Sequence, residues 1–294
     1  MSDIALAGQV EFNSLIWITS LRDSELGTTR RVMEDLEHVL QSNEFRASLF
    51  VPDNRNHLLQ FLDVIAEQAR GPLRPIIHLD MHGDEERGLF IAATGEHLPW
   101  LDLLDKFRMI NIGTDNNLCV VAPVCHAYHA ILQIKLDQLT PFSLFIAPVH
   151  EVTSGFIEER IVPFYQEMFA SQDIVKAYRQ HLQAHLDLFS AHRIFVRILI
   201  NYIVKHCMGQ GLRARKEDLI SAAINRGTPR NRSNLRKLRS ELRTALVPTR
   251  ALVAKYARPF LNRHHPGIDV DEIVKLARLQ VNQARGKPNA SPRL

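Results

Sequence analysis

The sequence predicts an α/β fold, a mostly parallel sheet flanked by helices, followed by an all-helical C-terminal region. Through the first half, short apolar runs alternate with helically spaced apolar residues, the pattern of βαβ units. From Gly155 onward the strand-like runs stop and helical spacing continues, interrupted at Gly and Pro. Charge divides in the same sense. Residues 212–294 hold 19 Lys/Arg against 6 Asp/Glu, although the net charge of the whole chain is only +4. Such asymmetry marks two surfaces with different partners.

The elements follow in order. Residues 14–20 read as a strand, and Val32, Met33, Leu36, Val39 and Leu40 space an amphipathic helix over 30–41. A second strand is expected at 47–51, and Leu58, Leu62, Ile65 and Ala66 place a helix at 56–70. The strand 75–81 runs directly into His82-Gly83, and a short strand at 88–92 follows. His97-Leu98-Pro99-Trp100 leads into a helix at 101–107. The apolar run 118–124 ends in Cys125, with a helix expected from about 126 to 136 and a last strand at 142–147. Helices are then expected at 156–169, 174–188, 191–207, 217–224, 234–246, 252–261 and 269–281. The corresponding domains are 1–155, a helical and C-terminally basic 156–285, and a disordered tail at 286–294.

Composition excludes several classes. With 46% apolar and 23% charged residues, the 294-residue chain has the balance of a soluble globular protein with ample core. Met1 to Gly8 lack a basic segment followed by a long apolar run, so no signal peptide is expected. In the most apolar helix, Arg193, Arg197, Asn201 and Lys205 recur every fourth residue, a polar stripe that argues against a membrane span. Cys119, Cys125 and Cys207 form an odd, sparse set without a CxxC pair, which points to a reducing cytoplasm.

The chemistry lies at the strand ends. Parallel sheets bind ligands just outside the carboxyl ends of their strands, where His82 and Cys125 are expected. If those two strands are neighbours, imidazole and thiol form a pair in which His82 is base and acid and Cys125 the nucleophile. The amides of Gly83 and Cys125 are the natural oxyanion donors. This chemistry calls for no cofactor and no metal ion.

The order of these features resembles the caspase-like cysteine peptidases, the clan of caspases, metacaspases and bacterial CHAT-type proteases. The resemblance rests on His82-Gly83, the acidic turn Asp84-Glu85-Glu86 into Gly88-Leu89-Phe90-Ile91, the Leu-rich helix beginning at Leu101, and the run from Val120 to Cys125. The His-to-Cys separation is close to the roughly 50 residues of caspases. Over about the first half of the chain the resemblance implies a caspase-like fold, peptide hydrolysis by His82 and Cys125, a protein or peptide substrate, and a regulated role, with prokaryotic defence as the setting. The chain departs from the family at Pro123-Val124, where caspases carry Gln-Ala, and where metacaspases place an Asp two residues before the Cys. Neither familiar specificity pocket is therefore implied, and Arg30, Arg31, His150 and Ser154 are the candidate substrate contacts.

Other patterns compete. His78, Asp80 and His82 lie two apart, so all three project from one strand face and can ligate a divalent ion, although His78 and Asp80 sit inside the apolar run. His126 and His129 can share a helix face just past Cys125, with His126 a neighbour that tunes the thiol. Arg226, Arg230, Arg232, Arg236, Lys237 and Arg239 crowd one segment without an acid. That segment suits a regulatory acidic protein partner, the chain's own acidic half, or nucleic acid, although aromatic residues for base stacking are missing from it. The second functional class is thus a catalytically silent scaffold that binds protein or nucleic acid through its basic helices.

Overall fold

Parallel pairing organises the first part of the chain. The computed structural model describes residues 10–43, 45–262 and 269–286. In chain order the elements are β1 (Ser14–Ser20), α1 (Leu26–Ser42), β2 (Arg46–Phe50), α2 (Arg55–Ala69), β3 (Pro75–Met81), β4 (Gly83–Asp84), β5 (Gly88–Ile91), β6 (Glu96–Leu98) and α3 (Trp100–Gly113). They continue with β7 (Cys119–Val121), a 3₁₀ helix (Ala127–Gln133), β8 (Leu144–Ala147), α4 (Ser154–Ser171), α5 (Ile174–His181) and β9 (Asp187–Ser190). Five helices close the chain: α6 (Ala191–Cys207), α7 (Gly209–Asn225), α8 (Arg232–Ala245), α9 (Arg250–Phe260) and α10 (Val270–Gly286).

The six-stranded sheet runs β2-β1-β3-β7-β8-β9, parallel except for β9. A small antiparallel sheet, β4-β5-β6, stands beyond the end of β3. Leu15, Trp17, Ile76, Cys119, Val121, Leu144 and Ile146 form one core layer with α1, α4 and α5. The alternate positions face the other way, where Phe50 stacks on Phe61 of α2 and Phe107 of α3 meets Phe142 beside Phe145. Both faces are covered, as a parallel sheet requires.

The chain divides into two compact units, 10–193 with 259–262, and 194–258 with 269–286. In the second, Ile203, Ile220, Val253, Ala257, Ile273 and Ala277 are buried. Arg215 lies over the Tyr202 ring at 5.6 Å, and Gln280 donates to Asn201 at 3.0 Å. Among the described residues no helix is long and apolar enough to cross a membrane.

Several elements differ from expectation. The first helix begins at Leu26 rather than at residue 30, although Gly27, Thr28 and Thr29 are weak helix formers. Thr29 is held there by donating to the buried Asp80 carboxylate at 2.6 Å. The helix expected to end at 107 continues to Gly113, because Asn111 is buried and bonded to Asn116, Thr140 and the Leu118 amide. The strand before Cys125 ends at Val121, since Pro123 has no N–H to donate to a ladder. The segment after Cys125 is a 3₁₀ helix rather than an α-helix. The second half is not free of strands: β9 lies where a helix was expected to run to 188, and pairs antiparallel to β8. Its Leu188-Phe189 continue the apolar spacing of α5, so periodicity alone does not separate the two. The expected tail lies outside the described residues beyond 286.

His78 sits fully buried in this core, stacked on Trp17 at 3.6 Å between ring centroids, with Nδ1 2.9 Å from the Tyr165 hydroxyl. Burial pulls its pKa from 6.5 down to about 3. The unfolded chain protonates this group near pH 6.5 and the folded chain does not. Its contribution to stability is therefore intact above pH 6.5 and falls as pH drops toward 3, by about 1.4 kcal/mol per pH unit. Urea unfolding followed by tryptophan fluorescence should show wild type losing about 2 kcal/mol more than His78→Phe between pH 7 and pH 5. Equal losses would refute the assignment.

Candidate functional site

Strand order reverses between β1 and β3, and the loops leaving their carboxyl ends diverge there. The opening is a cleft of about 500 Å³ bordered by Glu25, Thr28, Arg31, Asp80, His82, Pro123, Cys125 and Ser154 among others. His82 and Cys125 thus reach the same cleft from the ends of two adjacent strands, β3 and β7. The first turns of α1 and α4 also border it, through Gly27, Thr28, Ser154 and Ile157. Two helix N-termini there favour negative charge.

Gly83 is where the two halves touch. A methyl group at that position would lie 2.4 Å from the Cys125 carbonyl oxygen and 2.5 Å from Val124 Cγ1. Any side chain on residue 83 would push the Cys125 backbone away, so glycine is needed for this approach.

His82 is half-exposed, and its Nε2 lies 3.0 Å from Glu25 Oε1. Glu25 also accepts the Arg22 amide at 3.0 Å, and that bond, with the His82 contact, holds its carboxyl below the usual range. Cys125 is partly buried, and its thiol donates to the Val152 carbonyl at 3.9 Å. Each member of the expected pair is therefore partnered elsewhere: the imidazole by Glu25, the thiol by Val152.

Glu25 is the site residue that the sequence reading missed. It lies in the loop after β1, four residues before Thr29, and the only available signal was a carboxylate just past a strand's carboxyl end. The floor of the cleft was half legible. Asp80 accepts hydrogen bonds from Thr29 at 2.6 Å, Thr19 at 3.1 Å and Trp17 Nε1 at 3.3 Å. With His78 committed to Tyr165 and His82 to Glu25, the three residues share a face but do not converge as metal ligands. That corrects the competing pattern.

Of the substrate-contact candidates, Arg31 and Ser154 border the cleft, and Arg31 is paired with Glu158 at 2.7 Å. Arg30 and His150 do not border it; the His150 carbonyl instead accepts the His126 amide at 3.3 Å. Arg230, Arg232, Arg236, Lys237 and Arg239 belong to the second unit and are all exposed.

No protein-family model and no curated protein matches this chain. What the cleft can do follows from its own residues.

Cys119 is fully buried at the start of β7, and burial pushes its thiol pKa well up. Cys207 is half-buried and also pushed up. Iodoacetamide at neutral pH, read by peptide mass spectrometry, should modify Cys125 in the native protein, Cys207 more slowly, and Cys119 only on unfolding. Native labelling of Cys119 at the rate of Cys125 would contradict this arrangement.

Proposed function

We propose that this chain is a cysteine peptidase of caspase-like architecture, with Cys125 as nucleophile, His82 as general base and acid, and Glu25 as the carboxylate that orients His82. The observation that carries the reading is the contact at Gly83, which brings the residue after His82 onto the Cys125 carbonyl at the rim of one cleft. Three residue types at successive strand ends then supply a nucleophile, a base and an orienting group.

In this reaction His82 takes the Cys125 proton, and the ionised Glu25 stabilises the resulting imidazolium. The thiolate attacks the peptide carbonyl carbon, and the oxyanion is met by the amides of Gly83 and Cys125. His82 returns the proton to the leaving amine, and a thioester remains on Cys125. Water, deprotonated by His82, cleaves the thioester, releasing the acid and restoring the thiol. Arg31 is neutralised by Glu158 at the rim, which blunts preference for an acidic substrate side chain. Three free cysteines support a reducing, cytoplasmic setting. A regulated role in prokaryotic defence rests on the family resemblance alone.

A second reading draws on α8. This helix has no buried residue, and Arg232, Arg236, Arg239 and Arg243 share one face. The stripe supports docking of an acidic protein partner, whether or not the cleft is catalytic.

Cys125→Ala and His82→Ala should each abolish cleavage of a peptide library while leaving the circular dichroism spectrum native. Glu25→Gln should lower kcat by about 10²-fold. Cleavage by Cys125→Ala at the wild-type rate would overturn the proposal. For α8, binding of a polyglutamate peptide at low salt should disappear when the four arginines become serine. Tighter binding to oligonucleotides, with a steep salt dependence, would assign the stripe to nucleic acid instead.

A further inference from the structure

Beside the cleft, the hairpin that follows Gly83 and the turn that follows Cys125 meet in a cluster of three metal-ligating side chains. One ligand atom each from Glu85, His126 and His129 lies within 4.8 Å of the others. From this juxtaposition we propose that Glu85, His126 and His129 bind a zinc-type divalent cation, which ties the two segments together.

The local structure explains why the side chains converge. His126 adopts a left-handed backbone, with φ of 62°, and caps the 3₁₀ helix that carries His129. Side chains three apart eclipse along a 3₁₀ helix, so the two imidazoles project from one edge. Their ring centroids are 6.0 Å apart, and the rings are near-perpendicular. From the other side, Glu85 is held in a tight turn. Trp100 Nε1 donates to the carbonyls of Asp84 and Glu85 at 3.0 and 3.2 Å, and Asp84 accepts the amides of Glu86 and Arg87.

The chemistry of the donors selects the ion. Two imidazoles and one carboxylate suit zinc and its transition-metal neighbours, whereas magnesium and calcium prefer oxygen alone. Around a tetrahedral zinc with bonds of about 2.0–2.1 Å, ligand atoms stand roughly 3.3 Å apart. His129 Nδ1 and Glu85 Oε1 are already 2.9 Å apart, so closing the set asks for a shift on the order of 1.5 Å at most from the 4.8 Å limit. The side chain of Glu85 is 56% exposed and free to make it. A second observation points the same way: Nδ1 of His126 is buried and has no hydrogen-bond partner. Three protein ligands leave a fourth position for water.

The site stands apart from the cleft chemistry, because neither His82 nor Cys125 belongs to it. Its consequence reaches them through the backbone. Glu85 lies three residues after His82, and His126 directly follows Cys125, so a bound ion would fasten the two approaches that meet at Gly83.

Zinc competition against a chromophoric chelator, on the full chain, tests this directly. Cys125→Ser serves as the background, so that a thiol-zinc adduct does not contribute. One zinc per chain should bind in that background and raise the thermal midpoint. Cobalt(II) should give the visible bands of a low-symmetry four- or five-coordinate site. Glu85→Gln, on an exposed turn, and His129→Gln should each weaken zinc binding by at least about tenfold. Absence of binding in the Cys125→Ser background would overturn the proposal. So would undiminished affinity in natively folded Glu85→Gln and His129→Gln. Loss of peptide cleavage does not bear on the outcome, so failure of this site and failure of the peptidase reading remain distinct.

Discussion

The buried carboxylate of Asp80 is the constraint on which the functional end of the sheet depends. Burying an ionised carboxylate is costly unless its oxygens are satisfied. Here three donors converge on Oδ2, two from β1 and one from the first turn of α1. Hydrogen bonds to a charged group contribute about 1.5–3 kcal/mol each, so the set outweighs the weak helix propensity of Gly27, Thr28 and Thr29. Drawing α1 back to Leu26 places Glu25 immediately before the helix, within reach of His82. The group that orients the imidazole is thus set by a polar cluster underneath it, on the neighbouring strand.

A second constraint acts on the backbone. Gly83 starts β4 against Leu89, and a Cβ there would collide with the Cys125 carbonyl. Pro123 ends the ladder of β7, and the chain then turns through the left-handed His126. The Ala122 amide still donates to the Ile146 carbonyl of β8 at 2.8 Å, and the amides of His126 and Tyr128 donate to the carbonyls of His150 and Pro148, so the segment that carries Cys125 is held by the chain leaving β8. Cys125 thus meets Gly83 on one side, and the residue after it is bonded to the loop beyond β8 on the other.

How much of this was legible in the sequence depends on the kind of interaction. The strands β1 and β3 have the bounds that their largely apolar runs indicate, despite His78 and Asp80 inside β3, and α6 ends where its spacing does, because those signals are local and strong. His82-Gly83 and Cys125 were legible as strand-end residues, and adjacency of β3 and β7 brings them to one cleft. What escaped is non-local. The early start of α1 depends on Asp80, a contact between residues far apart in sequence. The extra length of α3 depends on Asn111 and its partners across the loop to Thr140. The edge strand β9 exists because β8 offers an unpaired side, which no periodicity within residues 187–190 records. Glu25 had no motif of its own and acquires a role only through His82.

The imidazole of His82 and the thiol of Cys125 each have another partner, and the strengths of those partnerships show which parts of the site can move. His82 and Glu25 are both substantially exposed, with side-chain exposures of 49% and 34%. A pair in that environment is worth about 0–1 kcal/mol, so the imidazole can turn at little cost. The contact from Cys125 Sγ to the Val152 carbonyl, at 3.9 Å, is long and weak. By contrast, the packing of Gly83 on Cys125 is between backbone atoms, and the cluster on Asp80 is buried. The two side chains therefore turn more readily than the backbone beneath them shifts. Hydrogen bonds of this kind are often loose before substrate enters and tighten as the cleft fills. In the proposed reaction, a peptide backbone lying across the cleft would compete for the Val152 carbonyl and release the thiol. Under that proposal, release of the nucleophile would be coupled to occupancy, with the thiol held by Val152 until then.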